Sequence, residues 1–261
     1  MTEDVLLFET LGRVARITLN RPKAMNSMNL ALLGELDRRL TEIAANDELR
    51  VLVVTGTGPA FCAGADLKEV LAGQGPGPGE ADFLDRANVV LGRLRNFPKP
   101  VIAALNGVTM AGGLELAMCA DLVVAAESAT IADAHANFGV YPGAGGAAIL
   151  PRLIPLNMAM YLLLTGKSLS AADMKACGLV CEVHPDLRLA DAALELANHI
   201  AMKSPVALRR MKEVARASAD KTRDDALLHE QVMLREHLRS HDFREGLQAF
   251  AEKRPPQFQG R

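Results

Sequence analysis

Phe61-Cys62-Ala63-Gly64-Ala65-Asp66-Leu67-Lys68 follows the apolar, β-branched run Val51-Leu52-Val53-Val54-Thr55, and Met110-Ala111-Gly112-Gly113-Leu114-Glu115 follows a second such run, Val101 to Leu105. Both segments read alike: a buried strand, a turn of small residues, then the first turn of a helix. Small side chains let a ligand approach the main chain. N–H groups left unpaired at a helix start, reinforced by the helix dipole, stabilise negative charge on an oxygen. Taken singly, each segment reads equally well as a tight turn.

Outward from this pair the chain keeps the same rhythm. Val5 to Thr10 and Arg13 to Asn20 alternate apolar and polar residues around Leu11-Gly12, a hairpin pattern. Leu33, Leu36, Leu40 and Ile43 recur at helical spacing, which predicts a helix from Leu30. Leu122 to Ala125, Thr130 to Ala132 and Leu179 to Val183 read as strands. The glycine cluster after Pro142 opens a helix, and Ser170 with Asp173 forms a capping-box-like start to another. Strands alternating with helices predict an α/β fold with parallel pairing. Beyond residue 188 the strand signals stop, and Leu189 to Ser204, Pro205 to Ser218, Asp224 to Arg239 and Asp242 to Glu252 read as helices. The chain therefore divides into an α/β core, 1–188, and a helical region, 189–261, expected to pack on the core or on a neighbouring subunit.

Composition removes several function classes. Apolar residues make up 49% and charged residues 23%, the balance of an ordinary globular chain rather than a disordered one. A formal net charge of −2 provides no basic field for displacing counterions from phosphates, so nucleic acid is not an expected partner. The start Met1-Thr2-Glu3-Asp4 has no basic, apolar leader, and no apolar run reaches a membrane span of roughly 18 residues, so a soluble cytoplasmic protein is expected. Cys177, Cys181 and His184 are spaced like zinc ligands, but they straddle a helix-to-strand junction and bring no fourth ligand. With Cys62 and Cys119 they are read as small, reduced core thiols, and no metal is expected.

The two strand–turn–helix segments, together with Asn20-Arg21-Pro22-Lys23-Ala24-Met25-Asn26, the turn Pro142-Gly143-Ala144-Gly145-Gly146 and the tail Asp242 to Arg254, resemble the crotonase (enoyl-CoA hydratase/isomerase) family in the same order along essentially the whole chain. The resemblance implies a spiral of β-β-α repeats with a helical C-terminal region that packs neighbours into homotrimers or homohexamers. It implies an acyl-CoA thioester as substrate, with coenzyme A part of the substrate rather than a cofactor. The thioester oxygen would be held by the backbone amides of Ala65 and Gly112, while Lys23, Ala24, Ala63, Ala65, Leu67 and Lys68 would lie near the CoA nucleotide.

Hydratases of this family use two glutamates to add the hydroxyl of a water at C3 and a proton at C2 of a 2-enoyl-CoA. Glu115 matches the first, and its apolar helix neighbours Gly113, Leu114, Leu116 and Ala117 should desolvate it, as acid/base work requires. Gly143 matches the glycine whose amide helps hold the water. The second glutamate, seven residues before Pro142, is replaced by His135, which can exchange a proton near neutral pH. Asp133 would point to the same side if that stretch is extended. Asp121 reads as structural, tying the end of the Glu115 helix to the next strand. Hydration to a 3-hydroxyacyl-CoA is the leading reading. The histidine leaves open isomerisation, decarboxylation or thioester hydrolysis on the same oxyanion hole, and a non-catalytic acyl-CoA binder. The Gly/Pro-rich stretch Ala72 to Gly79 is expected to be a loop at the mouth of the acyl site.

Overall fold

The alternating pattern of the first twenty residues forms a hairpin. In the computed structural model, which describes residues 4–72 and 82–261, β1 (Leu6–Leu11) pairs antiparallel with β2 (Val14–Leu19). The helix α1 (Leu30–Ala45) starts where the Asn29 side chain accepts the N–H of Leu32, and it buries Leu32, Leu33, Leu36, Leu40 and Ile43 along one stripe. The chain then makes three turns of a spiral. β3 (Val51–Gly56), β4 (Ala60–Cys62), α2 (Leu67–Ala72) and α3 (Phe83–Arg95) form the first. β5 (Val101–Leu105), β6 (Val108–Met110) and α4 (Gly112–Ala117) form the second. β7 (Leu122–Ala126), β8 (Thr130–Ala132), α5 (Gly146–Leu153) and α6 (Leu156–Thr165) form the third.

Each turn adds one strand to each of two sheets. The larger has the order β1-β2-β3-β5-β7-β10 and the smaller β4-β6-β8-β9, with β9 (Leu169–Ser170) and β10 (Glu182–His184) flanking α7 (Ala171–Ala176). From β2 to β10 the larger sheet is parallel, and its central strands β3, β5 and β7 are near-continuous apolar runs because both faces are covered. This is the spiral of β-β-α repeats that the resemblance implies.

The structure differs from the sequence expectation at several points. α3 was not anticipated, although Asp82 and Asp85 form a reciprocal capping box at its start. The strand expected from Leu179 begins only at Glu182, because the N–H groups of Leu179 and Val180 both turn back to the carbonyl of Met174 and close α7. Cys181 is exposed rather than in the core, and Cys177 is half-buried, because both lie in this closing turn. Cys62 and Cys119 are buried, which pushes their thiols up to about 12 and about 11. The expected mouth loop falls, from residue 73 onward, outside the described residues. Among the described residues no helix is long and apolar enough to cross a membrane.

The C-terminal helices are α8 (Leu189–Ala201), α9 (Pro205–Ser218), α10 (Arg223–His237) and α11 (His241–Glu252). α8 lies across β2, β3, β5 and β7 and covers the larger sheet, so strand signals cease at 188 while the core continues into α8. α9 is tied down by Asp121. One of its carboxylate oxygens meets Lys212 at 2.7 Å and the N–H of Val101 at 2.8 Å, and the other meets Arg216 at 2.8 Å. The expected structural role of Asp121 thus reaches further, to a helix ninety residues on.

The tail closes on Asp242, which is buried. Its Oδ2 accepts from the Ser204 hydroxyl at 2.6 Å, and its Oδ1 accepts from the Gln259 N–H at 2.7 Å. Burial opposes ionisation here, but the Ser204 hydroxyl and the N–H groups of Gln259 and Gly260 outweigh it and hold the carboxyl below the usual carboxylate range. A carboxyl depressed in the native state adds stability above its unfolded value of about 3.9 and loses it as pH falls through the lower native value. Asp242→Asn is expected to lower stability at pH 7 by about 1.5–3 kcal/mol, because charge-assisted hydrogen bonds are weakened. Its stability should also fall less steeply on acidification than that of the parent. Thermal or urea unfolding from pH 7 to pH 2 checks both, and parallel acid limbs would contradict the assignment.

Candidate active site

The parallel register of the smaller sheet assembles the site. Cys62 of β4 is level with Thr109 of β6, and Thr109 is level with Ile131 of β8. Three residues beyond the first pair lie Ala65 and Gly112, so the two small-residue turns leave the sheet side by side. The third strand end delivers Asp133, Ala134 and His135 next to them. Carboxyl ends of adjacent parallel strands are where open α/β sheets place ligands.

Backbone donors are left over at this edge. The segment around Met28 lies along the Ala65 turn: Met28 N–H donates to the carbonyl of Gly64 at 2.7 Å, and Asp66 N–H donates to the carbonyl of Met28 at 2.8 Å. Alternation then turns the N–H of Ala65 to the other side, toward Gly112. The ideal Cβ position on Gly112 is 3.4 Å from that nitrogen. Neither Ala65 N–H nor Gly112 N–H has an acceptor among the described residues. Ala111, just before α4, is held at φ 51° and ψ −120°, a backbone strain that costs on the order of 1–3 kcal/mol and fixes the direction of the Gly112 amide. Two neighbouring amides without an acceptor are what an oxyanion hole requires.

Close main-chain approach is required at two glycines. A Cβ on Gly113 would sit 1.9 Å from the carbonyl oxygen of Cys62, so β4 and α4 can touch only without a side chain there. A Cβ on Gly146 would sit 2.6 Å from Asp133 Oδ2 and 2.7 Å from Pro142 Cβ.

Glu115 is 4% exposed and lines the cavity, so its expected desolvation is present. It is held without a cation: Oε1 accepts the N–H groups of Ala144 at 2.8 Å and Gly146 at 2.9 Å, at the start of α5, where the dipole favours an anion. The turn that supplies these donors is braced by Arg95, which donates to the carbonyl of Ala144 at 3.0 Å. Oε2 of Glu115 accepts nothing among the described residues and remains available to a ligand.

His135 lines the same cavity. Its Nδ1 is 2.9 Å from Asp133 Oδ1, and Asp133 is 1% exposed. Burial disfavours protonation of the imidazole. The hydrogen bond and charge of Asp133, with the charge of Glu115, outweigh this and raise the histidine above its ordinary value. The protonated ring is therefore favoured relative to an ordinary histidine, and His135 shares the cavity with Glu115.

The cavity has a volume of about 190 Å³. Ala63, Ala65, Leu67, Gly112, Glu115, His135 and Gly143 all line it, with apolar walls from α3 and from Phe138, Val140 and Tyr141. Lys23, in the 3₁₀ turn Pro22–Ala24, and Lys68, in α2, are exposed and outside this lining, as is the half-buried Ala24. Gly143 contributes wall, whereas the amides that reach Glu115 are those of Ala144 and Gly146. These two, the Asp133 contact to His135 and the α3 wall are the parts of the site that the sequence reading did not assign.

The sequence model of a family described as enoyl-CoA hydratase/isomerase matches residues 9–261. A 1,2-epoxyphenylacetyl-CoA isomerase of Escherichia coli is 38% identical, with all of both chains covered. A 2,3-dehydroadipyl-CoA hydratase of the same organism is 37% identical over 98% of this chain and 99% of the relative. The crystal structure of an enoyl-CoA hydratase from Bacillus anthracis superposes with a TM-score of 0.91 at 37% identity, covering 98% of this chain and 100% of that one.

The two kinds of glycine should respond differently to one added methyl group. Gly113→Ala forces Cys62 and α4 apart and is expected to lower stability by about 1–3 kcal/mol or more. Gly143→Ala meets only Leu84, at 3.8 Å, and is expected to leave the melting temperature unchanged. Thermal unfolding of the two variants side by side distinguishes them, and equal effects would contradict the close-approach argument.

Proposed function

Because this chain belongs to the enoyl-CoA hydratase/isomerase family, we propose that it is an enoyl-CoA hydratase, a hydro-lyase that adds water across the 2,3 double bond of a 2-enoyl-CoA to give the 3-hydroxyacyl-CoA. One observation carries this reading. Ala65 and Gly112, whose amides have no acceptor among the described residues, line the same cavity as Glu115 and His135, which supports reading them as an oxyanion hole beside a carboxyl and an imidazole.

The thioester oxygen lies between the two amides. Glu115 accepts a proton from water through Oε2 while the oxygen of that water bonds to C3. The C2–C3 π electrons move toward C2 and the carbonyl, and the resulting enolate charge falls on the oxygen held by Ala65 and Gly112. His135 releases its Nε2 proton to C2, which completes the addition of one water. Loss of the proton on Glu115 to solvent and gain of one by His135 restore the starting state. A carboxylate and an imidazolium divide the two proton transfers that the family's glutamate pair shares. Lys23 and Lys68 are proposed, as exposed cations, to meet the CoA phosphates, with Ala24, Ala63 and Leu67 near the nucleotide.

The helical region is proposed to build a homotrimer or homohexamer. α10 has no buried residue, although it carries Leu227, Leu228, Val232 and Leu234. It encloses with α9 an apolar groove of about 590 Å³, and Phe250 of α11 is 86% exposed. Apolar surface of this kind marks an interface. Light scattering after gel filtration should give three or six chains, and a monodisperse monomer would overturn the proposal.

The activity test is incubation with a 2-enoyl-CoA and mass analysis of the product. Gain of one water is expected; loss of carbon dioxide, release of free CoA or binding without turnover would each contradict it. Glu115→Gln should abolish hydration. Gly112→Pro should lower it by about 10²–10³ or more, since proline removes one donor and its Cβ would sit 2.8 Å from Met28 Cε, so folding of the variant is checked alongside. His135→Ala should lower it by roughly 10²–10⁴. With the proton affinity of His135 raised, the rate should fall as pH rises through the native value of the imidazole, at a higher pH than an ordinary histidine would give.

A further inference from the structure

Asp133 is a buried carboxylate for which the proposed hydration has no stated use. Its Oδ1 is 2.9 Å from Nδ1 of His135, and the His135 N–H also bonds to the carbonyl of Asp133 at 2.9 Å. Its Oδ2 is buried with no partner among the described residues. The space around Oδ2 exists because residue 146 is glycine, and the bend that folds His135 back over Asp133 exists because Ala134 adopts φ 60° and ψ −10°. Both features are costly, since a left-handed alanine is strained and a buried carboxylate needs a counter-charge. His135 is the sole group near enough to supply that charge among the described residues. Asp133 itself is outside the cavity lining, while His135 is part of it.

We propose that Asp133 is a positioning residue that fixes the tautomer of His135, holding the Nδ1 proton and so presenting Nε2 to the substrate as the proton-exchanging atom. This rests on the reading of His135 as the acid in hydration. A carboxylate behind an imidazole orients the ring and stabilises the imidazolium without itself exchanging a proton with substrate. The charged groups acting on the ring are Asp133 and, from α4, Glu115. α6, which packs against the 135–138 turn, contributes no Asp, Glu, Lys, Arg or His. Loss of Asp133 therefore removes the larger part of what keeps the ring protonated, and it leaves both ring nitrogens free to hold the neutral proton.

The tautomer is read directly in the parent enzyme by 15N NMR of labelled histidine, with His135→Gln to assign the signal. Above its titration, the His135 ring should carry its proton on Nδ1; an Nε2–H tautomer overturns the proposal, and this measurement needs no variant at Asp133. Asp133→Asn should lower the pH at which His135 titrates, move the alkaline limb of the kcat profile in the same direction, and reduce kcat by roughly 10²-fold with KM little changed. An Asp133→Asn enzyme with unaltered His135 titration and pH profile overturns the proposal while leaving His135 as the acid, provided that His135→Ala is impaired. Full hydration by His135→Ala would instead overturn the reading of His135 itself, and the role of Asp133 with it.

Discussion

The level pairing of Cys62 with Thr109, and of Thr109 with Ile131, is the constraint on which the site depends. Because these strands are parallel, and an irregularity between Ala60 and Cys62 brings Cys62 level with Thr109, residues at equal distances past these pairs become neighbours, however far apart they lie in the chain. A slip of one residue in β4 would reverse its side-chain alternation and carry Ala65 away from Gly112. Small residues are needed at the exits for a separate reason. The main chains of β4 and α4 touch at Cys62 and Gly113, and the sheet could not hold this register with a side chain between them.

The two buried carboxylates in this region are stabilised by different means. Glu115 is held by two amides at a helix start, a fixed dipolar environment that keeps one oxygen occupied and the other open. Asp133 is held by a titratable ring. The first arrangement uses backbone donors, while the second uses a side chain that can gain or lose a proton. Placing the two next to each other makes the charge of Glu115 one of the causes, after Asp133, that raise the proton affinity of His135.

Legibility in the sequence followed the range of the interaction. The period of α1, the hairpin and the apolar runs of β3, β5 and β7 were readable because burial of one face writes a local pattern. The two small-residue segments were readable as turns between strand and helix, and the structure brings them and Glu115 to one cavity. α3 lacked a readable frame because it follows the Gly/Pro stretch, although its Asp82 and Asp85 cap was a usable signal. The start of β10 was misplaced because Leu179 and Val180 are apolar for the sake of the α7 turn. What could not be read was contact across distance: Ala144 and Gly146 reach Glu115 from about thirty residues away, and only the fold brings them there. The Asp133–His135 contact depends on a left-handed Ala134, a conformation that alanine does not advertise.

The same contact explains why the histidine is not a simple exchange for a second carboxylate. A glutamate at 135 would face Asp133 at the distance of a hydrogen bond, and two buried carboxylates there could not both remain ionised. One would take up a proton, and Glu115 would meet a site whose charge depended on which one did. With a histidine, the proposed tautomer puts one proton between Oδ1 of Asp133 and the ring and leaves Nε2 for the second. Residue 135 and residue 133 therefore form one unit in this chain: the histidine gives the aspartate its counter-charge, and the aspartate gives the histidine its orientation.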